Sequence, residues 1–214
     1  MLQIETFTFN AFQENTYVIM NESKDCWIVD PGMYDNSETN SFFSFIEENQ
    51  LKPKAVINTH THLDHIFGVQ ACKDKYSIPF LIHQKDQPVL NGATGSAMLF
   101  GFEFKPIPVA DNYINEAEPL QLGSEQVDIK LSPGHSPGSV MFYYEAGGWL
   151  IGGDVLFHGS IGRTDLPGGS FEVLIQSIKT QVFTLPDETV VLSGHGPQTT
   201  IANERQYNPF LQHI

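Results

Sequence analysis

Apolar and polar positions in the opening third of the chain follow a spacing that predicts sheet. Residues 2–9 set Leu2, Ile4, Thr6 and Thr8 against Gln3, Glu5, Phe7 and Phe9, a strand that is not cleanly one-sided. Segments 16–20 and 26–29 predict two further short strands, parted by the polar turn 21–25. Asp30-Pro31-Gly32 stops the third. Over 37–49, Phe42, Phe43, Phe45 and Ile46 fall on one side of a helix. Residues 54–58 read as a buried strand, followed by a helix over roughly 65–76 and a strand at 79–82. The stretch 84–119 carries no clear period. From residue 120 the pattern is again sheet, at 127–131, 140–144 and 149–151. A helix over 170–183, a strand at 190–192 and a short helix near 199–207 complete the chain.

No repeat, low-complexity tract or Pro/Ser-rich linker divides these elements, so one domain spanning 1–214 is expected. Strands and helices recurring in two halves predict an α/β (α+β) fold with two central sheets covered by helices. The 41% hydrophobic content supplies a core. A formal charge of −14 disfavours nucleic acid or an anionic membrane as partner. The first residues lack the basic and apolar regions of a signal peptide, and no apolar run reaches the roughly 20 residues of a spanning helix. Cys26 and Cys72 have no paired spacing and read as reduced, buried small hydrophobes. A cytoplasmic protein acting on a small molecule, as monomer or homodimer, is the expectation.

The chemistry concentrates in His60-Thr61-His62-Leu63-Asp64-His65, three imidazoles and a carboxylate in six residues. His135, Asp154 and His195 join them from Pro133-Gly134-His135, Gly152-Gly153-Asp154 and Gly194-His195-Gly196. A single histidine is more often a surface or hydrogen-bonded residue than a ligand; the clustering reverses that expectation. Seven donors are too many for one tetrahedral ion and suit two ions bridged by a carboxylate and a hydroxide. In a loop just past a strand end, His60 and His62 can converge while Asp64 and His65 turn toward a second position. Each later ligand also follows a predicted strand beside glycine, which permits close backbone approach. A shared mouth at one sheet edge follows. Zinc is the favoured metal, with iron or manganese compatible. Asp64 and Asp154 are the candidate catalytic carboxylates.

The remaining histidines read differently. His158, four residues after Asp154, is a candidate for facing the substrate. His83 reads as structural or as an outer support, and His213 as solvated. Arg163 reads as a carboxylate-recognising residue or as half of a buried ion pair with Asp165. Phe100, Phe102 and Phe104 alternate, and packing or an apolar lip over the metals are their two readings. Tyr17 and Tyr144 read as sheet packing.

The His60–His65 run, with His135, Asp154 and His195 in that order and Asp30-Pro31-Gly32 ahead of them, resembles the metallo-β-lactamase superfamily signature. The resemblance covers nearly the whole chain. It implies a four-layer αββα sandwich of two mixed sheets flanked by helices, with two metal sites at one edge. It implies that His60, His62 and His135 hold one ion, that Asp64, His65 and His195 hold the other, and that Asp154 bridges them. Asp30 resembles the outer carboxylate that steadies the ligand loop.

Residues 159–165 followed by Ser193-Gly194-His195-Gly196-Pro197 are similar to the short, bacterial-type members of the glyoxalase II group. Longer members bind glutathione through a C-terminal helical extension that this sequence lacks. The implied activity is hydrolysis of a 2-hydroxyacyl thioester such as S-lactoylglutathione by a hydroxide bridging the metals. A thiolate, with a conjugate pKa of ~8.5, leaves without much help from a proton; an amide nitrogen needs a placed acid. The Gly162-Arg163-Thr164-Asp165 run also resembles persulfide dioxygenases of the same fold, whose single iron would sit on His60, His135 and Asp154. Ester or lactone hydrolysis on the same site is a further alternative.

Overall fold

The computed structural model describes residues 1–103 and 106–212. The chain opens with β1 (Gln3–Phe9), β2 (Glu14–Met20) and β3 (Asp25–Val29), paired antiparallel in sequence order. Helix α1 (Asn36–Glu48) returns the chain to β4 (Lys52–Ile57), which runs parallel to β3. Helix α2 (Val69–Tyr76) leads to β5 (Phe80–His83), and α3 (Gln87–Asn91) and α4 (Ala93–Phe100) precede β6 (Asn112–Ile114). The first sheet therefore has the order β1-β2-β3-β4-β5-β6.

The second half repeats the plan. It comprises β7 (Leu120–Leu122), β8 (Glu125–Leu131), β9 (Val140–Tyr144) and β10 (Trp149–Gly153), then a small hairpin of β11 (Leu156–Phe157) and β12 (Ser160–Ile161). Helix α5 (Phe171–Ser177), β13 (Val190–Ser193), β14 (Thr199–Thr200) and α6 (Ile201–Tyr207) follow. This sheet has the order β14-β13-β10-β9-β8-β7, with β13 parallel to β10 and the other pairs antiparallel.

Side-chain alternation sorts these strands into layers, because successive residues of a strand face opposite sides. Tyr17, Ile19, Trp27, Val29 and Ile57 point from the first sheet into a core shared with Val127, Val140, Phe142 and Ile151 of the second. Val18, Ile28 and Val56 point the other way, onto Phe42 and Ile46 of α1 and Val69 and Cys72 of α2. Met141, Leu150 and Val191 face Leu174 of α5 and Ile201 of α6. The result is the four-layer αββα sandwich, both sheets mixed. Burying each such side chain contributes about 1.5–3 kcal/mol, so three stacked cores stabilise a rim crowded with polar groups.

Three expected elements are corrected. The helix expected over 65–76 begins only at Val69, after a 3₁₀ turn at Leu63–His65. The side chain of Asn58 donates to the His65 carbonyl at 2.8 Å, and the Val69 N–H turns to Ile66 instead, so the α-helical ladder cannot start earlier. The helix expected over 170–183 is α-helical to Ser177 and then widens into a π turn at Ile178–Val182. Residues 84–119 hold α3, α4 and β6. Helix α4, Ala-Thr-Gly-Ser-Ala-Met-Leu-Phe, lacks a polar face, and Met98 and Leu99 are 75% and 78% exposed. No helix among the described residues is long and apolar enough to cross a membrane.

Candidate metal centre

Five strand ends deliver the polar cluster. Strands β3, β4, β8, β10 and β13 all run toward the same edge, and Asp30, His60, His135, Asp154 and His195 lie just beyond their last residues. Gly134, at φ 131°, turns the chain into His135 where a Cβ would strike the backbone of Leu174.

His60, His62 and His135 converge through one nitrogen each. His62 Nδ1 lies 2.8 Å from His135 Nε2, which lies 3.2 Å from His60 Nε2. Outer hydrogen bonds fix two of these rings: His135 Nδ1 donates to the Arg163 carbonyl at 2.8 Å, and His60 Nδ1 lies 3.1 Å from Thr59 Oγ1. Bonding the far nitrogen to an acceptor leaves the near nitrogen's lone pair facing its neighbours, as metal-holding imidazoles require.

A second group stands beside the first. His195 Nε2 is 3.2 Å from Asp64 Oδ2, and His65 Nε2 is 3.7 Å from the same oxygen. The far nitrogens are again fixed, His195 Nδ1 on the Phe12 carbonyl at 3.0 Å and His65 Nδ1 on Asp30 Oδ2 at 3.1 Å. Asp154 Oδ2 lies between the groups, 3.4 Å from His135 Nε2 and 3.5 Å from His195 Nε2. All seven residues singled out from sequence thus lie together: His60, His62 and His135 form one grouping, Asp64, His65 and His195 another, and His60 and His65 also group with Asp30.

The donor set fits a pair of divalent ions. His65 Nε2 and Asp154 Oδ1 are buried without a hydrogen-bond partner, a costly state that a bound cation would relieve. Imidazole and carboxylate suit zinc, iron and manganese alike.

Electrostatics separate the two sets. Burial, with the nearby His65, pushes His60 well below its ordinary range, and burial with His135 brings His62 down to about 3. Those rings offer lone pairs. Burial opposes charge on His65, yet Asp64, Asp154 and Asp30 hold its pKa well above the usual value. Burial likewise opposes charge on Asp154, but His65, His135 and His60 outweigh it and carry the carboxyl well below its usual range.

A carboxylate frame holds the candidate ligands from behind. Asp30 accepts from the Thr59 N–H at 2.7 Å and the Thr59 hydroxyl at 2.5 Å as well as from His65. Its backbone sits at φ 49°, an uncommon conformation retained because the side chain is held from three directions.

Two members of this frame escape a sequence reading. Asp86, fully buried, accepts from the Thr61 N–H at 2.5 Å, the Thr61 hydroxyl at 2.7 Å, the Gly138 N–H at 3.0 Å and the Ser136 hydroxyl. It clasps the His60–His62 loop to the His135 loop. Glu14, also fully buried, accepts from Thr16 at 2.9 Å and places Oε1 3.7 Å from His65 Nδ1; burial raises its pKa strongly. Its one sequence signal is an acid at the head of an otherwise uncharged strand.

Other expectations change. His158 does not face the site: it is exposed on the β11–β12 turn and does not line the cavity at the metal edge. The hairpin reverses the chain there and turns it outward. Arg163 does form its pair with Asp165, at 2.7 and 2.8 Å, but the pair is exposed, not buried. Its contribution to the cluster is the main-chain carbonyl that receives His135. His83 pairs with Glu116 at 3.0 Å, a structural placement. Tyr17 does more than pack, donating to the Ser193 carbonyl at 2.6 Å beside the His195 loop. Phe100 lines the cavity, Phe102 packs on Phe12, Tyr34 and Phe67, and Phe104 and His213 lie outside the described residues. Both cysteines are buried and free, with burial pushing the Cys26 thiol up to about 12.

The cavity holds about 860 Å³ and is floored by His62, Asp64, His135, Asp154 and His195. Among the described residues, Arg163 is the one titratable side chain lining it outside the seven.

Comparison with known proteins agrees with this geometry. The metallo-beta-lactamase superfamily model matches residues 9–195. The chain is 42% identical over 201 residues to the probable metallo-hydrolase YqgX of Bacillus subtilis, covering 93% of this chain and 92% of the relative. It is 35% identical over 212 residues to the hydroxyacylglutathione hydrolase GloC of Haemophilus influenzae, covering 98% of each. Among solved structures, the BLEG-1 B3 metallo-beta-lactamase superposes with a TM-score of 0.90 at 39% identity, over 98% of this chain and 100% of the other. TTHA1623 in a di-iron-bound form gives 0.85 at 36% identity, over 97% and 100%.

Proposed function

The chain belongs to the metallo-beta-lactamase superfamily and is a metallo-hydrolase by its relatives, and from that footing we propose that it hydrolyses thioesters, 2-hydroxyacyl thioesters of the S-lactoylglutathione kind being the first to test. Two divalent ions, when bound, supply Lewis acidity and a water acidic enough to attack at neutral pH. The chain's own residues do the rest. His60, His62 and His135 would hold one ion, Asp64, His65 and His195 the other, and Asp154 would touch both. Arg163 fixes His135 through its carbonyl, and Asp30 fixes His65, so little reorganisation accompanies reaction.

One observation carries the choice of substrate. Among the described residues, every acid or base lining the cavity, apart from Arg163, already belongs to the proposed ligand set. None of these lining side chains is spare to protonate a departing amine, whereas a thiolate departs near neutral pH unaided. This disfavours β-lactam cleavage despite the likeness to BLEG-1. The GloC relative supports the thioester reading. The proximity of Asp64, His65 and His195 supports two metals over the single iron of a persulfide dioxygenase. The buried free thiols suit a reducing, cytoplasmic setting.

The test is a screen of zinc-, iron- and manganese-loaded protein against thioesters, β-lactams, lactones and phosphodiesters, with oxygen uptake on glutathione persulfide alongside. Thioester hydrolysis lost in Asp154→Ala is expected. An untouched thioester beside cleaved lactone, or one iron per chain with oxygen uptake, would overturn the proposal.

A further inference from the structure

The walls of the cavity differ in kind from its floor. Above the ligands they are apolar: Phe12, Val89, Leu99, Phe157, Ile161 and Leu166 all line the space. Among the described residues the one cation on the walls, Arg163, has both its Nε and a terminal nitrogen bonded to Asp165. The wall formed by α4 is exposed to solvent, with Leu99 78% and Phe100 44% accessible, an apolar surface that soluble proteins keep for binding. That wall is tied to the centre, because the Phe100 ring meets the Phe12 ring edge-on at 5.7 Å and the Phe12 carbonyl receives His195 Nδ1. Its size falls within the range of pockets that enclose most of a small ligand.

We infer that this cavity receives an apolar acyl chain, with the scissile carbonyl at the seven polar residues and the tail along α4. The inference rests on the thioester reading but departs from its first example, since the short hydroxylated lactoyl group would leave the apolar walls unfilled: the acyl half of the substrate is long and aliphatic or aromatic. Charge points the same way. Among the described residues, a thiol carrier bearing carboxylates or phosphates would meet no cation on the lining besides the Asp165-paired Arg163, inside a chain of formal charge −14. The acyl half is therefore the part recognised inside, and the carrier is left toward solvent.

The test uses metal-loaded protein and N-acetylcysteamine thioesters, a small neutral carrier, from acetyl through octanoyl. Each added methylene is expected to raise kcat/KM about 4-fold until the cavity is filled, the equivalent of about 0.8 kcal/mol per methylene. Leu99→Asn, on α4, and Leu166→Asn, on the loop between β12 and α5, both outside the core, are each expected to cut the octanoyl-to-acetyl ratio about tenfold. Binding of n-alkyl carboxylates, followed by calorimetry, is expected to strengthen with chain length and to be weakened by the same substitutions. Turnover of the acetyl thioester with no dependence on chain length would overturn the inference while leaving thioester hydrolysis standing. Chain-length-dependent carboxylate binding with no thioester turned over would do the reverse. Neither turnover nor binding would overturn both.

Discussion

Asp86→Ala isolates the part of the account least visible in sequence. The carboxylate accepts four hydrogen bonds in a fully buried position, two of them from main-chain N–H groups of Thr61 and Gly138. Hydrogen bonds to a charged group contribute about 1.5–3 kcal/mol each, so a gross sum would overshoot. Removing the charge also removes its own desolvation cost, and breaking one side of a buried charged network typically costs about 3–5 kcal/mol. At roughly 2–4 °C per kcal/mol for a chain of this length, the melting temperature should fall by about 6–20 °C. Asp86→Asn keeps one accepting oxygen but turns an N–H₂ toward donors, so about half the loss is expected. Thr61 sits between His60 and His62, and Ser136 follows His135, so metal affinity should also drop, by about 10- to 100-fold. Scanning calorimetry on chelated protein reads the first effect free of metal, and chelator competition with zinc reads the second. An Asp86→Ala protein melting within about 2 °C of the parent with unchanged zinc affinity would refute the reasoning.

Three further outcomes follow. A Cβ at Gly194 would run into Asp154 Oδ1 and the His65 ring, so Gly194→Ala should lower the metal content measured by plasma mass spectrometry from two per chain to one or fewer; two retained ions would contradict this. Burial would raise the pKa of Glu204, but bonds from Thr199, Asn203, the Gly159 N–H and Asn208 outweigh it and hold the carboxyl below its ordinary 4.5. Its stabilisation is therefore present at neutral pH and lost as the pH falls through the folded value. Glu204→Gln should cost about 1–3 kcal/mol in urea unfolding at neutral pH, with the gap closing below 4.5; an equal gap at both pH values would contradict it. Chelation should lower the melting temperature by about 8–16 °C, since an ion at a thousand times its dissociation constant stabilises by about 4 kcal/mol. A calorimetric trace unmoved by chelator would argue against a preformed site.

The candidate cluster was legible because its chemistry is compressed into six residues and three glycine-flanked positions, each following a strand. The sheets were legible for a related reason: β2, β3, β9 and β10 are continuous buried segments. Helix α4 was not, since only the small Ala93 and Ala97 face the interior while Leu99 and Phe100 line a cavity and Met98 is exposed. Asp86 and Glu14 were hidden because their roles toward the site arise through contacts distant in sequence, Glu14 facing His65 from the head of β2. Thr61 is 25 positions from Asp86, and Gly138 is 52. His158 misled by lying near Asp154 in sequence while a hairpin turns it away. Arg163 misled in another manner, since a backbone carbonyl leaves no mark on residue type.

The central claim is that Asp154 stands between two cation positions built from His60, His62 and His135 on one side and Asp64, His65 and His195 on the other. Anomalous diffraction from crystals of the zinc-loaded protein tests it directly. Two peaks about 3.5–4 Å apart, both within coordinating distance of the Asp154 carboxylate, are the predicted result. A single peak on His60, His62 and His135, with Asp64, His65 and His195 still bonded to one another, would contradict it.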